Sequence, residues 1–118
     1  MPDSLRDLRD ALRAFAAERD WDQFHSPRNL ATALAVEAAE LLEPFQWLTD
    51  EQSRSLPPDT QAAVEEELAD VLLYLIRLAD KLHVDLDAAA RAKILKNAEK
   101  YPVAKSKGSA KKYTELGS

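Results

Sequence analysis

Leu34-Ala35-Val36-Glu37-Ala38-Ala39-Glu40-Leu41-Leu42 and Glu67-Leu68-Ala69-Asp70-Val71-Leu72-Leu73-Tyr74-Leu75 decide how this chain reads. Each is a strongly apolar run with two carboxylates three residues apart, and residues at i and i+3 share a helix face. A carboxylate among leucines loses hydration worth several kcal/mol unless a cation or a donor replaces it. Helix packing that gathers Glu37, Glu40, Glu67 and Asp70 also gathers four like charges, which need positive compensation. An all-oxygen ligand set of this kind suits Mg²⁺ or Mn²⁺. The expected centre of the protein is therefore a metal site assembled by two helices.

Working outward, Leu5, Leu8, Leu12 and Phe15 recur at helical spacing and predict a first helix from Ser4 to about Asp20. Ser26 followed by Pro27 is the start signal of a second helix, which runs to about Glu43 and stops at Pro44. Thr49 to Asp59 is polar, contains Pro57-Pro58 and reads as a loop. Val64, Leu68, Val71, Leu72, Leu75, Leu78 and Leu82 form one stripe of a third helix, from about Asp59 to Leu82. Asp85 caps a fourth, Leu86 to about Lys100, stopped by Pro102. No strand pattern or fixed-period repeat is present, so the expectation is an all-α, single-domain four-helix bundle. Its helical core spans about 4–101, and a basic C-terminal arm follows from about 102 to 118. Helices two and three are apolar around more than one face, which predicts self-association.

Composition removes several classes. The chain has 118 residues, 46% hydrophobic and 31% charged, as expected of a globular domain. No run of 18 uncharged apolar residues occurs, which predicts no membrane span. The acidic N-terminal Met1-Pro2-Asp3-Ser4 lacks an apolar signal stretch, so a cytoplasmic location is expected. With no cysteine, disulfides and thiolate metal sites are excluded. The two glycines, Gly108 and Gly117, both lie in the tail, so a glycine-rich phosphate loop or nucleophile elbow is excluded as well. Any phosphates of a substrate must then be held by metal ions and side chains. Residues 101–118 carry a balance of +3 and the remaining hundred carry −8. So acidic a body argues against nucleic acid as a partner, because duplex binding depends on neutralising phosphates with Lys and Arg.

The acidic pattern Glu37-x-x-Glu40 followed by Glu67-x-x-Asp70 resembles that of the all-α, MazG-like nucleoside triphosphate pyrophosphohydrolases. The surrounding words narrow the likeness: Glu18-Arg19-Asp20-Trp21, Phe24-His25, Pro27-Arg28-Asn29-Leu30, Phe45-Gln46-Trp47, Glu66-Glu67-Leu68, Asp70-Val71-Leu72, Tyr74-Leu75, Val84-Asp85-Leu86, Tyr101-Pro102 and Lys112-Tyr113-Thr114 are similar to the dCTP pyrophosphatase branch. This resemblance implies cleavage between the α- and β-phosphates of a (deoxy)nucleoside triphosphate, dCTP or a modified dCTP, giving monophosphate and pyrophosphate. It implies Mg²⁺ on Glu37, Glu40, Glu67 and Asp70, with one glutamate, Glu40 first, as the alternative for orienting the attacking water. Trp21, Trp47 and Tyr74 match aromatic positions of the nucleoside pocket, Asn97 a polar position near the base, and Lys93 a phosphate-side lysine. A homodimer or homotetramer is implied too. The chain departs from close relatives at Leu12, where they carry histidine.

Four other readings compete. Trp21 and Trp47 are by default core or interface residues, and a basic tail is by default a solvated end. Asp22-x-x-His25 and Asp80-x-x-His83 imitate the carboxylate–histidine spacing of di-iron bundles. A non-catalytic nucleotide sensor or assembly protein would keep the fold without turnover.

Overall fold

The computed structural model describes residues 4–116. Four long helices occur, α1 (Ser4–Glu18), α2 (Pro27–Leu42), α4 (Pro58–Lys81) and α5 (Leu86–Lys100), with one-turn helices α3 (Asp50–Ser53) and α6 (Val103–Ser106) between and after them. Two 3-10 turns, Asp22–Phe24 and Tyr113–Glu115, complete the element order, and no strand occurs among the described residues. The chain divides into two compact units, one up to Val84 and one from Asp85 onward. No described helix is long and apolar enough to cross a membrane.

In the first unit α4 is the long element, packed mainly against α2 and less extensively against α1. Its start follows from Pro57-Pro58, with Pro58 at the first helical position where its missing N–H costs nothing. The start of α2 is as expected: Pro27 opens the helix and the Ser26 hydroxyl accepts from the Asn29 N–H at 3.1 Å. The core is small, made of Ala16, Leu30, Val64, Ile76 and Ala79, with Leu30 only 2% exposed. Burying one such leucine contributes roughly 2 kcal/mol.

Without glycine in this unit, the chain stops its helices by other means. After α1, Asp20 takes a left-handed conformation (φ 54°), the Trp21 N–H bonds the Ala16 carbonyl at 2.9 Å, and the Asp20 N–H bonds that of Ala17 at 3.2 Å. After α4, His83 does the same (φ 57°), with Val84 N–H on the Ala79 carbonyl at 2.8 Å and His83 N–H on that of Asp80 at 3.1 Å. Both are Schellman stops, a place usually given to glycine. The stretch expected as a plain loop contains α3, because the Thr49 hydroxyl accepts from the Gln52 N–H (3.1 Å) and the Gln52 side chain accepts from the Thr49 N–H (3.0 Å). This reciprocal capping box nucleates a single turn.

In the second unit, Asp85 caps α5 as expected, its carboxylate accepting from the Ala88 N–H at 3.0 Å. The stretch expected as an arm carries α6 and the last 3-10 turn. Tyr113 meets the Tyr101 ring edge-on at 6.1 Å, and the Lys100 ammonium lies 4.9 Å from its centroid.

Candidate metal centre

The packing of α2 on α4 turns the two sequence pairs toward each other. Glu37 from α2 and Glu67 and Asp70 from α4 each offer a carboxylate oxygen, all within 4.8 Å of one another. The Oε2 atoms of Glu37 and Glu67 are buried without a hydrogen-bond partner. An unpartnered buried carboxylate oxygen costs free energy that native structures rarely leave unspent. Glu40 lies outside this trio but close enough to act on Glu37. Burial pushes the Glu37 carboxyl up to about 7, and the neighbouring Glu67 and Glu40 carboxyls and the charges of Glu40 and Asp70 push the same way.

The donor set and its orphaned oxygens fit a hard divalent cation, which would satisfy both atoms and cancel the repulsion. Glu43, Glu65 and Glu66, outside the two pairs, are exposed. The aromatic candidates are spread out: Trp47 is 86% exposed in the turn after α2, Trp21 is 44% exposed, and Tyr74 is half-buried one turn beyond Asp70 on α4. Trp21 stands edge-on to Phe15, ring centroids 5.7 Å apart. Leu12 is half-buried on α1. Lys93 and Asn97 are exposed on α5, in the second unit.

The two Asp-x-x-His pairs serve another purpose. Asp22 accepts from Arg77 Nη2 at 2.6 Å and also from Lys81, and His25 Nδ1 accepts from Arg77 Nε at 3.1 Å. Asp80 accepts from Arg13 Nε at 2.8 Å and sits 3.5 Å from Arg77 Nη1. Their carboxylates are neutralised by cations, and His83 is a helix stop. This network, around a cavity of about 400 Å³ lined by Arg13, Asp22, Arg77, Asp80, Lys81 and His83, escaped the sequence reading. Its one signal was an arginine inside an apolar stripe, three residues before an aspartate.

The profile of the MazG-like family matches residues 32–116. Mouse dCTP pyrophosphatase 1 is 51% identical over 115 residues, 96% of this chain and 68% of that protein, and the human protein of the same name is 48% identical over the same shares. The crystal structure of a pyrophosphatase from Archaeoglobus fulgidus superimposes with a TM-score of 0.78 at 41% identity, covering 82% of this chain and 91% of that one. The chain belongs to the MazG-like family.

Proposed function

We propose that this chain, a pyrophosphohydrolase of the dCTP diphosphatase-like kind, cleaves dCTP or a modified dCTP to the monophosphate and pyrophosphate in a Mg²⁺-dependent reaction. The observation that carries the reading is the convergence of Glu37, Glu67 and Asp70 with two orphaned carboxylate oxygens. A triphosphate carries about four negative charges, and the unit holding this site adds a strongly acidic surface of its own. Hydroxide attack on such a substrate is opposed unless cations intervene. Bound Mg²⁺, or Mn²⁺, supplies a more acidic water and neutralises the phosphates.

The chain's part is to hold and orient. Glu37, Glu67 and Asp70 provide ligand oxygens; Glu40, next to them, completes the set or takes the proton of the attacking water. Trp21, Trp47 and Tyr74 offer ring faces to the base, each stack contributing roughly 1–3 kcal/mol. The family resemblance assigns Lys93 to the phosphates and Asn97 to the base; the two lie four residues apart on α5. Leu68, Leu72 and Leu75 stay 37–52% exposed along α4. Such a stripe supports a homodimer or homotetramer, with the whole chain acting as one cytoplasmic MazG-like module that clears unwanted nucleotides.

The test is pyrophosphate release from the eight common (d)NTPs and 5-methyl-dCTP, with Mg²⁺ or EDTA, by the parent and Glu40→Gln. Metal-dependent monophosphate and pyrophosphate, strongest with dCTP and lost in the variant, is the expected result. Orthophosphate as product would move the cut to another bond, and nucleotide binding without turnover would favour a sensor.

A further inference from the structure

The mechanism makes no use of the most buried charge in the first unit. Arg77 is 6% exposed, between Ile76 and Leu78 on α4, and its guanidinium spreads over three partners: Asp22 and His25 on one side and Asp80 on the other. Burying a guanidinium is expensive, and apolar replacements of buried ion pairs are often as stable. Core stability alone is therefore a weak reason for Arg77. What it does have is a specific geometry. Asp22 opens the 3-10 turn Asp22–Phe24 and His25 ends it, and Trp21 is the residue immediately before.

We infer that Arg77 is a positioning residue for Trp21, clasping the α1–α2 turn onto α4 so that the indole is presented to the substrate base in one pose. The turn's other hydrogen bonds are local. Trp21 N–H bonds Ala16, Gln23 bonds Asp20, and the Asn29 side chain bonds the Phe24 carbonyl at 3.0 Å. Its hydrogen bonds to α4 come from Arg77, to Asp22 Oδ1 and His25 Nδ1, and from Lys81, to Asp22 Oδ1. Trp21 itself is 44% exposed, and its ring stands edge-on to Phe15 at 5.7 Å. A half-exposed ring on a locally bonded turn samples several orientations, and each one lost on binding weakens the stack. Arg77 removes that freedom beforehand. The cation and the ring are neighbours through the turn, so the guanidinium acts on the base only by way of the indole.

This rests on the reading of Trp21 as a base platform, and the experiment separates the two. In a Trp47→Phe background, emission and acrylamide quenching report Trp21 alone, with no substrate present. Arg77→Met and Asp22→Asn are compared in this background for quenching and, with Trp47 retained, against the unsubstituted protein for turnover; Asp22 is the exposed end of the clasp, so its substitution keeps the fold if Arg77→Met does not, with helical content checked by circular dichroism. Expected are faster quenching of Trp21 in both variants, a KM for the nucleotide raised about tenfold, part of what one stack is worth, and a kcat within about threefold of the parent. A merely structural Arg77 would lower kcat and active fraction together and leave KM alone, which overturns the proposal. So does unchanged Trp21 quenching. Faster quenching with unchanged KM overturns it differently, by showing that the ring is not the platform. Absence of pyrophosphate from the unsubstituted protein is failure of the enzymatic reading, visible before any substitution, and the proposal falls with it.

Discussion

On α4, Asp70 and Arg77 are seven residues apart, about 10 Å along the axis on nearly the same face. Around Asp70 and Glu67 the charges are of one sign and two carboxylate oxygens have no partner. Around Arg77 every carboxylate has a cation: Asp22 has two, and Asp80 has Arg13 and Arg77. The same helix thus carries one charge cluster that is balanced within the chain and one of a single sign. On the proposed reading the balanced cluster builds and the acidic one binds. Substitution should have opposite consequences in the two.

The largest effect is expected at the acidic cluster. Glu67→Gln should cost at least about a hundredfold in turnover, on the scale of removing one transition-state contact, while raising the metal-free melting temperature because a repelling charge is gone. A lower melting temperature would place Glu67 among the building residues and break the contrast. At the balanced cluster the sign reverses. Asp80→Asn should destabilise by about 2 kcal/mol in denaturant titration, since it leaves buried Arg77 with a weakened partner set. Mg²⁺ affinity should not change.

Acid sharpens the comparison further. The Glu37 carboxyl is raised to about 7, so the fold prefers its protonated form and loses stability as pH climbs from the ordinary carboxylate range through 7. Across the other cluster the shifts point the other way. The Lys81 ammonium bonded to Asp22, with Arg77 behind it, holds that carboxyl low, and the Arg13 guanidinium does so for Asp80. Their contribution is present above the ordinary carboxylate pKa and is lost as pH falls through the depressed values. Burial, then Arg77 and Lys81, hold the His25 imidazole below its ordinary pKa against the pull of Asp22, so stability also falls as pH drops below about 6.5. Metal-free melting curves from pH 8 to 5 should therefore show Glu37→Gln losing stability with acid more steeply than the parent, and His25→Gln less steeply. Parallel curves for all three would contradict the assignment. The smallest effect is expected at the rim. Lys81→Met breaks an exposed pair and should lower the melting temperature by no more than about 4 °C.

The acidic cluster of Glu37, Glu67 and Asp70 was legible in the sequence because the spacing is local: Glu37-x-x-Glu40 and Glu67-x-x-Asp70 each lie within one helical turn, and the packing of α2 on α4 had to be supplied, which leaves Glu40 outside the trio. The building cluster was not. Arg77 finds Asp22 and His25 across 55 and 52 residues, and Asp80 finds Arg13 across 67. Nothing in Asp22-x-x-His25 tells a cation's partner from a metal's ligand. Helix starts were readable from Ser26-Pro27 and Asp85; the stops at Asp20 and His83 were not, since their left-handed backbone lacks the usual glycine. The turn at Thr49 was readable in principle, because Thr49-x-x-Gln52 is a capping box, but the proline pair beside it dominated the reading.

The raised Glu37 carboxyl also has a thermochemical consequence. Near neutrality that carboxyl is partly protonated in the metal-free protein, so uptake of a divalent cation at the proposed site would displace the proton and acidify the solution. Heats of Mg²⁺ or Mn²⁺ binding should then change with the ionisation enthalpy of the buffer, and the slope counts the protons released. Below pH 7 the ion must compete with that proton, and affinity declines by up to tenfold for each unit of acid. A cell's pH would in this way set how much of the protein is armed with metal.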